Sequence, residues 1–369
     1  MKGNNEDGLG QRAERKVERM EAERMEGNVK NSNIYKVILL QSGEKNEVKS
    51  EIKSEVRSRS EIYDRGVEGF MVYAKGMAGS IGEKARILPY VKPGRIVEMG
   101  CGNGVVLELL VQSFPDSEII GVDISDTMLK MAVDRKYDGK RKNVTLVKED
   151  ITKMDLRENS LDTIIFCSTL HELFSYNGYS KNVVRETIEK AYRALRPGGR
   201  LIIRDGVKPE AEEVYLEFKN EETRKKFYRF AFEFGPREIQ FASVDDEPNK
   251  VEKVNKVRLR SEDAMEFLSK YIYDKNWKIE VKEQFGVYTF GEYRVVLEEH
   301  GFDVVHAESY LLEWLRRTHY EKDLDVFKLV NGRFVKQEYP DSTMILVAEK
   351  GVPTKVKLRV GVDGAGGSK

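Results

Sequence analysis

The sequence predicts an α/β fold, in which a doubly wound, seven-stranded and mostly parallel sheet carries an α+β insertion after its fifth strand. Two observations predict this fold. Short apolar segments alternate with segments of helical period between Arg95 and Arg204, as in sheets whose parallel strands are joined by crossover helices. The alternation returns between Phe290 and Glu349, which indicates that an insertion separates two parts of one sheet.

The first predicted strand runs directly into a turn rich in glycine. Residues 95–99 are mainly apolar, and glycine occupies every second position over residues 100–104. Glycine adopts positive φ at little cost and lets a ligand approach the backbone closely. A helix is predicted from Val105, and the second strand, 118–123, ends on Asp123. A strand, a glycine turn, a helix and an acid-tipped strand together predict a pocket for a nucleoside-bearing cofactor.

Three more strands complete the first part of the predicted sheet. They cover residues 144–149, 163–167 and 200–204. An amphipathic helix over 183–195 connects the last two strands, and residues 196–199 end it with a proline and two glycines. Proline cannot continue a helix, and glycine is favoured directly after one.

The alternation of predicted strands and helices stops after Gly206 and is absent over residues 207–285. Helical periodicity over 222–234 and 261–273, with an alternating segment over 250–260 between them, predicts a mixed insertion.

The second part of the sheet follows this insertion. The predicted elements are a helix over 290–300, a strand over 303–310, a helical insertion around 311–330 and a strand over 342–349.

The two ends of the chain differ in composition from its middle. Residues 1–60 are rich in charged and small polar residues, which predicts a flexible extension, with a partner-binding arm as the alternative. Residues 351–369 end in glycine, serine and lysine and are predicted to be a flexible tail. Between them we expect a cofactor-binding half over 61–206, the insertion over 207–285 and the rest of the sheet over 286–350.

The overall composition argues against several classes of protein. The 63 basic and 63 acidic residues give a net charge of zero, so charge alone favours neither a nucleic-acid nor a membrane partner. Cys101 and Cys167 are the two cysteines and both fall in the predicted core, which argues against a disulfide framework. Without a long apolar segment or a secretory signal, we expect a cytoplasmic protein with no membrane partner. The sequence predicts no oligomeric state.

The order of these motifs resembles that of the class I S-adenosylmethionine-dependent methyltransferases over about residues 62–350. Five motifs in the family's order are more specific than any one of them. They are residues 98–104, Asp123, residues 149–151, residues 162–171 and residues 195–201. The resemblance implies S-adenosylmethionine as the cofactor and an antiparallel last strand between the fifth and sixth strands.

The resemblance also implies roles in the cofactor site. Asp123 would bind the ribose hydroxyls, Asp150 would receive the adenine amino group, and Ile151 would pack on the ring. Glu98 would provide a favourable field for the sulfonium near the methionine end. The expected cofactor-binding residues are Glu98, Gly100, Cys101, Gly102, Gly104, Asp123, Ile124, Asp150, Ile151 and Cys167.

The spacing of the glycines separates this cofactor from a dinucleotide. The dinucleotide fingerprint has the form G-x-G-x-x-G, whereas this chain has Val105 at the position of the third glycine. The spacing therefore favours S-adenosylmethionine.

Three titratable residues follow the fourth and fifth strands, where the resemblance places the cofactor methyl group. His171 is the first candidate for a catalytic base, since imidazole titrates near neutral pH, and a hydrogen bond within the loop is the alternative. Glu172 is the second candidate, or a solvated carboxylate in the first turn of a helix. Asp205 would either reach the acceptor or cap the next segment.

No metal site is expected from the spacing of the histidines. They show no metal-ligand spacing with cysteine or with paired acids, and they are His171, His300, His306 and His319. Cys167 is expected to be a small buried strand residue rather than a nucleophile, and Cys101 to contribute its backbone to the turn.

The resemblance implies in-line transfer of a methyl group to an unidentified acceptor. We expect a small molecule, covered by residues 207–285 and 311–340. RNA is the second hypothesis, because basic and aromatic residues are interleaved over 224–230 and basic residues recur over 250–260. A non-catalytic cofactor-binding subunit, acting through its charged N-terminal arm, is the third.

Overall fold

The computed structural model describes residues 81–135, 137, 143–244 and 255–352. The predictions for residues 1–60, for the helical pattern between Tyr63 and Met77 and for most of the tail lie outside these residues. The described residues form the following strands: β1 Arg95–Met99, β2 Glu118–Asp123, β3 Val144–Lys148, β4 Leu161–Cys167, β5 Leu195–Gly206, β6 Glu213–Phe218, β7 Phe241–Val244, β8 Lys256–Arg260, β9 Phe302–Tyr310, β10 Leu324–Val330, β11 Arg333–Gln337 and β12 Thr343–Lys350.

The described residues also form helices of seven residues or more and several shorter helical turns. The longer helices are α1 Val105–Ser113, α2 Asp126–Val133, α3 Leu170–Tyr176, α4 Lys181–Ala194, α5 Glu221–Glu233, α6 Ser261–Lys270 and α7 Phe290–Glu299. The shorter turns are Ile81–Lys84, the 3-10 turn Ala85–Tyr90, Trp277–Glu280, Glu313–Leu315, the π turn Arg316–Tyr320 and Glu321–Asp323.

Seven strands form the larger sheet, in the order β3-β2-β1-β4-β5-β12-β9. The first five strands of the chain are parallel to one another. Strand β12 is antiparallel to both of its neighbours, β5 and β9. The predicted doubly wound, mostly parallel sheet is confirmed. The predicted antiparallel last strand is confirmed as well, because β12 lies between β5 and β9, which are the fifth and sixth strands of this sheet in chain order.

Side chains of β1 contribute to a core on each face of the larger sheet. Val97 and Met99 pack in one core with residues of α4, whereas Ile96 packs in the other with Leu107 and Leu110 of α1. Alternate residues of a strand point to opposite faces, so an apolar β1 requires helices on both sides. This arrangement leaves the carboxyl ends of the strands exposed to ligands.

The insertion contains a second, antiparallel sheet. Its strand order is β11-β10-β6-β8-β7. Helices α5 and α6 pack against it through Phe227, Phe230 and Phe267, each of which is fully buried. The sequence predicted the two helices and part of β8, but it did not predict β6 or β7.

One predicted helical segment is wrong. Residues 311–330 were expected to be helical, but the described helical turns end at Asp323 and Leu324–Val330 is strand β10. This strand pairs with β6 on one side and with β11 on the other. Pairing with strands distant in sequence overrides a weak local pattern, and a single segment carries no signal for such partners.

Among the described residues, no helix combines the length and the apolar character needed to cross a membrane.

Candidate cofactor and acceptor site

A cleft lies at the carboxyl ends of β1, β2, β3 and β4. It contains about 870 Å³ of space, part of it open to solvent. Seven of the expected cofactor-binding residues line it, namely Gly100, Gly102, Asp123, Ile124, Asp150, Ile151 and Cys167. The structure therefore brings together residues that are up to 67 positions apart in the chain.

The glycine turn forms one wall of the cleft. Gly100 and Gly102 have φ values of 76° and 52°, which glycine tolerates far better than other residues. A Cβ atom on Gly100 would lie 2.6 Å from the side chain of Thr169. The amides of Gly100 and Cys101 donate to the carbonyl oxygen of Val122, at 2.8 and 2.9 Å. These bonds hold the turn against the end of β2.

Asp123 is held in a fixed orientation at the tip of β2. Its Oδ2 accepts a hydrogen bond from the amide of Gly102 at 2.7 Å, and its Oδ1 accepts one from the amide of Ser125 at 2.8 Å. Burial raises the pKa of Asp123, and these hydrogen bonds oppose that shift. A carboxylate has about four acceptor positions, so each oxygen keeps one for a ligand hydroxyl.

Asp150 forms the wall of the cleft that follows β3. It is 3% exposed, and its Oδ1 accepts hydrogen bonds from the amide and the hydroxyl of Thr152, at 2.9 and 2.7 Å. Ile151 and Ile124 are apolar residues that also line the cleft. A carboxylate beside two apolar side chains suits a flat ring that carries an amino group.

Glu98 is a buried carboxyl group beside the glycine turn. It is 2% exposed, and its Oε2 has no hydrogen-bond partner among the described residues. Burial raises the pKa of Glu98 well above its usual value, although the nearby Lys84 opposes the shift. A buried carboxyl oxygen without a partner is costly to the protein alone.

Three of the expected residues support the cleft without lining it. Glu98 is one of them. Cys101 is buried, with its Sγ beside Gly121, and Gly104 has a φ of 78° immediately before α1. Burial raises the pKa of both thiols, Cys101 and Cys167. Both cysteines are therefore thiols rather than thiolates at neutral pH.

The structure brings the catalytic candidates His171 and Asp205 into direct contact. His171 Nδ1 lies 2.5 Å from Asp205 Oδ1, and both residues are buried. Asp205 Oδ2 accepts hydrogen bonds from the amides of Thr169 and Leu170, at 3.1 and 2.7 Å. Asp205 therefore caps the start of α3 and orients the imidazole. The helix that it caps precedes it in the chain, whereas the alternative predicted for Asp205 was a cap on the segment that follows it.

The charges on this pair follow from their contact. Burial alone lowers the pKa of His171, but Asp205 and then Glu283 outweigh it, so the net pKa is well above its usual value. Burial alone raises the pKa of Asp205, but His171 outweighs it, and the net pKa is lowered. The contact therefore favours the protonated form of His171 and the ionised form of Asp205.

The insertion adds a carboxyl group that sequence reasoning missed. Glu283 is 1% exposed; its Oε2 lies 3.7 Å from His171 Nε2, and its Oε1 accepts a hydrogen bond from Tyr176 at 2.5 Å. Glu172 lines the cleft beside them. Glu283 lies 112 residues after His171 and belongs to no motif, so no local signal could have identified it.

Two further lining residues were also missed. Lys84 is 6% exposed and lines the cleft near Glu98, and Ile279 reaches the cleft from the insertion. Leu173 and Tyr176 of α3 lie between them and complete the wall opposite the glycine turn. The insertion therefore takes part in closing the cleft.

The fold and the cleft define a class of protein. A seven-stranded sheet with one antiparallel strand next to β5, a glycine turn after β1 and acids after β2 and β3 are the features of a class I methyltransferase domain. The family model described as "Methyltransferase domain" matches residues 97–203. Residues 97–203 therefore form a domain of the class I S-adenosylmethionine-dependent methyltransferase type, whose cofactor is S-adenosylmethionine.

Curated relatives match only part of the chain. A malonyl-[acyl-carrier protein] O-methyltransferase from Priestia megaterium is 32% identical over 107 residues, which are 29% of this chain and 35% of the relative. A trans-aconitate 2-methyltransferase from Rhodopseudomonas palustris is 48% identical over 48 residues, 13% of this chain and 19% of the relative. A demethylmenaquinone methyltransferase from Symbiobacterium thermophilum is 27% identical over 156 residues, which are 40% of this chain and 59% of the relative. The matches cover less than two thirds of each relative.

Solved structures with similar folds share little sequence with this chain. A putative methyltransferase from Bacillus halodurans is 14% identical, with a TM-score of 0.42 and coverage of 74% of this chain and 100% of the other. A phosphoethanolamine N-methyltransferase from Haemonchus contortus, solved with S-adenosylmethionine, is 13% identical, with a TM-score of 0.42. The match covers 73% of this chain and 53% of the other.

Proposed function

We propose that this chain transfers a methyl group from S-adenosylmethionine to a small-molecule acceptor bound where the cleft meets the insertion. The observation that carries this proposal is the shared cleft. One wall consists of the cofactor-binding residues, and the other contains Glu172, Tyr176 and Ile279. A cofactor and an acceptor held in one cleft can be aligned for in-line transfer, and such alignment supplies several kcal/mol.

The residues of the cleft fit this cofactor. The glycine turn admits the ligand close to the backbone, and Asp123 offers each of its oxygens to a ribose hydroxyl. Asp150 would accept the adenine amino group between Ile124 and Ile151. Glu98 would supply negative charge near the sulfonium. When bound, S-adenosylmethionine supplies an electrophilic methyl group with its leaving group already attached.

The acceptor side of the cleft combines residues of α3 with one residue of the insertion. Ile279 and Tyr176 offer apolar surface, whereas Glu172 offers a polar group. This mixture suits an acceptor of metabolite size that carries a polar group. The relatives named above, a trans-aconitate and a demethylmenaquinone methyltransferase among them, have small acceptors or an acceptor carried by a protein, which is consistent with this proposal.

The residues that suggested RNA as the acceptor do not form a basic surface. Three of the four basic residues of α5 are paired with acids, such as Arg224 with Glu221 at 2.7 Å and Arg229 with Glu233 at 3.2 Å. The aromatic side chains of Phe227 and Phe230 are fully buried in the core of the insertion. Neither group offers the charged and stacking surface that single-stranded RNA requires. A small molecule is therefore the better supported acceptor.

His171 acts first as a positioning residue in this proposal. Its ring contacts Asp205 on one side and faces Glu283 on the other, which connects α3 with the insertion. A role as general base requires loss of a proton whose pKa is raised. The base hypothesis therefore predicts activity that increases at alkaline pH.

The experiment that tests the proposed function follows the labelled methyl group. The full chain is incubated with methyl-labelled S-adenosylmethionine and with cell extract separated into small-molecule, RNA and protein fractions. We expect label in the small-molecule fraction. Label in the RNA fraction alone would show that the acceptor is RNA rather than a small molecule. Cofactor binding without transfer to any fraction would favour the hypothesis of a non-catalytic subunit.

A further inference from the structure

We propose that His171, Glu172 and Glu283 form a binding site for one divalent transition-metal ion on the acceptor side of the cleft. Each residue offers one ligand atom, and these three atoms lie within 4.8 Å of one another. One imidazole and two carboxylates are a common donor set for such ions. The site joins two elements that the sequence does not connect, α3 and the segment after the turn Trp277–Glu280.

The distance between His171 and Glu283 suits two ligands of one ion. His171 Nε2 and Glu283 Oε2 are 3.7 Å apart. Two ligands of a tetrahedral ion, each about 2.1 Å from it, are roughly 3.4 Å apart. The observed spacing is therefore close to that of two ligands sharing one ion.

The groups behind these ligands are arranged as in protein metal sites. Asp205 Oδ1 lies 2.5 Å from His171 Nδ1, so the other ring nitrogen, Nε2, is directed towards Glu283. Tyr176 donates to Glu283 Oε1 at 2.5 Å, and Oε2 is the oxygen nearer to His171. In metal sites, the ring nitrogen of a histidine ligand that does not bind the metal commonly contacts a carboxylate, and a carboxylate ligand commonly accepts a further hydrogen bond.

The ligands differ in burial, which leaves the site open on one side. His171 and Glu283 are buried, whereas Glu172 is partly exposed and lines the cleft. An ion held by these three residues would keep coordination positions that face the cleft. Mixed nitrogen and oxygen ligands suit Mn²⁺ or Zn²⁺ better than Mg²⁺ or Ca²⁺, which prefer oxygen alone.

The open side indicates the class of acceptor, and this step rests on the proposed function. An ion with free positions beside the methyl donor would bind an acceptor through its oxygen atoms and favour ionisation of a hydroxyl group. The acceptor would thus be a small molecule with a hydroxyl or carboxylate group. Chelation is then expected to reduce transfer of label to the small-molecule fraction.

The ion site is tested by metal binding rather than by activity. The full chain is stripped with EDTA, desalted and titrated with Mn²⁺, and free Mn²⁺ is followed by electron paramagnetic resonance. Calorimetry with Zn²⁺ provides a second titration. We expect one ion per chain, with affinity lowered at least about tenfold in Glu283→Gln and about 10–100-fold in Asp205→Asn.

Glu299→Gln is the matched control. Glu299 is an exposed carboxylate paired with Arg185 at 2.7 Å, outside the cleft, and its substitution is expected to leave Mn²⁺ affinity unchanged. If Glu283→Gln does not fold, as judged by circular dichroism, Glu172→Gln at the partly exposed ligand replaces it. The inference is overturned if the stripped chain binds neither ion, or if the cleft and control variants bind Mn²⁺ equally well.

Cofactor binding separates this inference from the proposed function. S-adenosylmethionine affinity is measured by calorimetry on the same preparations, with and without Mn²⁺. A chain that binds the ion but not the cofactor would overturn the proposed function and leave the ion site standing. A chain that binds the cofactor and transfers methyl groups, but binds no ion, would overturn only the ion site.

Discussion

At the scale of single residues, Asp123 is the group on which the cofactor assignment depends most directly. Its two oxygens are already oriented by the amides of Gly102 and Ser125. Removing hydrogen bonds to a charged group costs about 1.5–3 kcal/mol, or roughly 10–100-fold in affinity. We expect Asp123→Ala to weaken S-adenosylmethionine binding by that amount in calorimetry.

The control for this prediction is Asp116→Ala, which removes an exposed acid before β2. Its cofactor affinity is expected to equal that of the native chain. An unchanged affinity in Asp123→Ala would contradict the placement of the ribose at this residue.

Glu98 gives a prediction about stability in the absence of cofactor. Because its pKa is raised in the folded protein, the native chain loses stability as pH rises from the usual range of a glutamate through the raised value. Glu98→Gln removes this loss. We expect the variant to be more stable at neutral pH, by about 1–3 kcal/mol, and to bind the cofactor more weakly.

Thermal unfolding of cofactor-free protein at several pH values measures this effect. The difference in Tm between variant and native chain is expected to be smallest near pH 4 and to grow as pH rises. A variant that is less stable than the native chain at all pH values would show that Glu98 has a structural partner.

Single residues also show the limits of prediction from sequence. Gly100, Asp123 and Asp150 could be identified because each occupies a fixed place relative to one strand end. Glu283 and Lys84 could not, because they reach the cleft from segments without a motif. Contacts between distant segments depend on packing, which one sequence does not reveal.

At the scale of elements, the segment after the turn Trp277–Glu280 is fixed by a buried ion pair on α6. Lys270 and Glu266 are 0% and 1% exposed, and Lys270 Nζ lies 2.6 Å from Glu266 Oε2. Glu266 also accepts hydrogen bonds from the amides of Phe285 and Gly286, at 3.1 and 2.7 Å. The ring of Phe285 lies between Lys270 and His171, so this pair supports the wall that carries Glu283.

Lys270→Met tests that support. Breaking a buried pair leaves an uncompensated carboxylate and costs about 3–5 kcal/mol, which we expect to measure by chemical denaturation. The double variant Lys270→Met with Glu266→Gln is expected to recover part of this loss, because no buried charge remains. If the single variant unfolds at the same denaturant concentration as the native chain, Lys270 does not support this segment.

The elements of the larger sheet were more predictable than those of the insertion. Strands β1 and β2 begin and end where the apolar segments predicted, because buried parallel strands are continuous apolar runs. Strand β6 has three consecutive buried residues, β10 is buried at only two of its seven residues, and β11 is exposed at four of its five residues, so these strands share no common pattern. Their identity depends on partners far away in the chain.

At the scale of the whole molecule, charge gives the prediction that separates RNA from a small acceptor. The net charge is zero, and several basic residues of the insertion have acidic partners, such as Arg258 with Glu213 and Arg260 with Glu262. We expect weak binding to a single-stranded RNA oligonucleotide in fluorescence anisotropy, with a shallow dependence on salt. Tight binding that falls steeply between 50 and 200 mM salt, about 10³-fold or more, would revive the RNA hypothesis.

The position of β12 has a consequence for synthesis of the chain on the ribosome. It is the last strand in sequence but lies between β5 and β9 in the larger sheet. In the described part of the chain, β9 pairs only with β12. Strand β9 therefore has no strand to pair with until residues 343–350 have emerged from the ribosome. The parallel strands can form earlier, while the far edge of the sheet waits for residues 343–350.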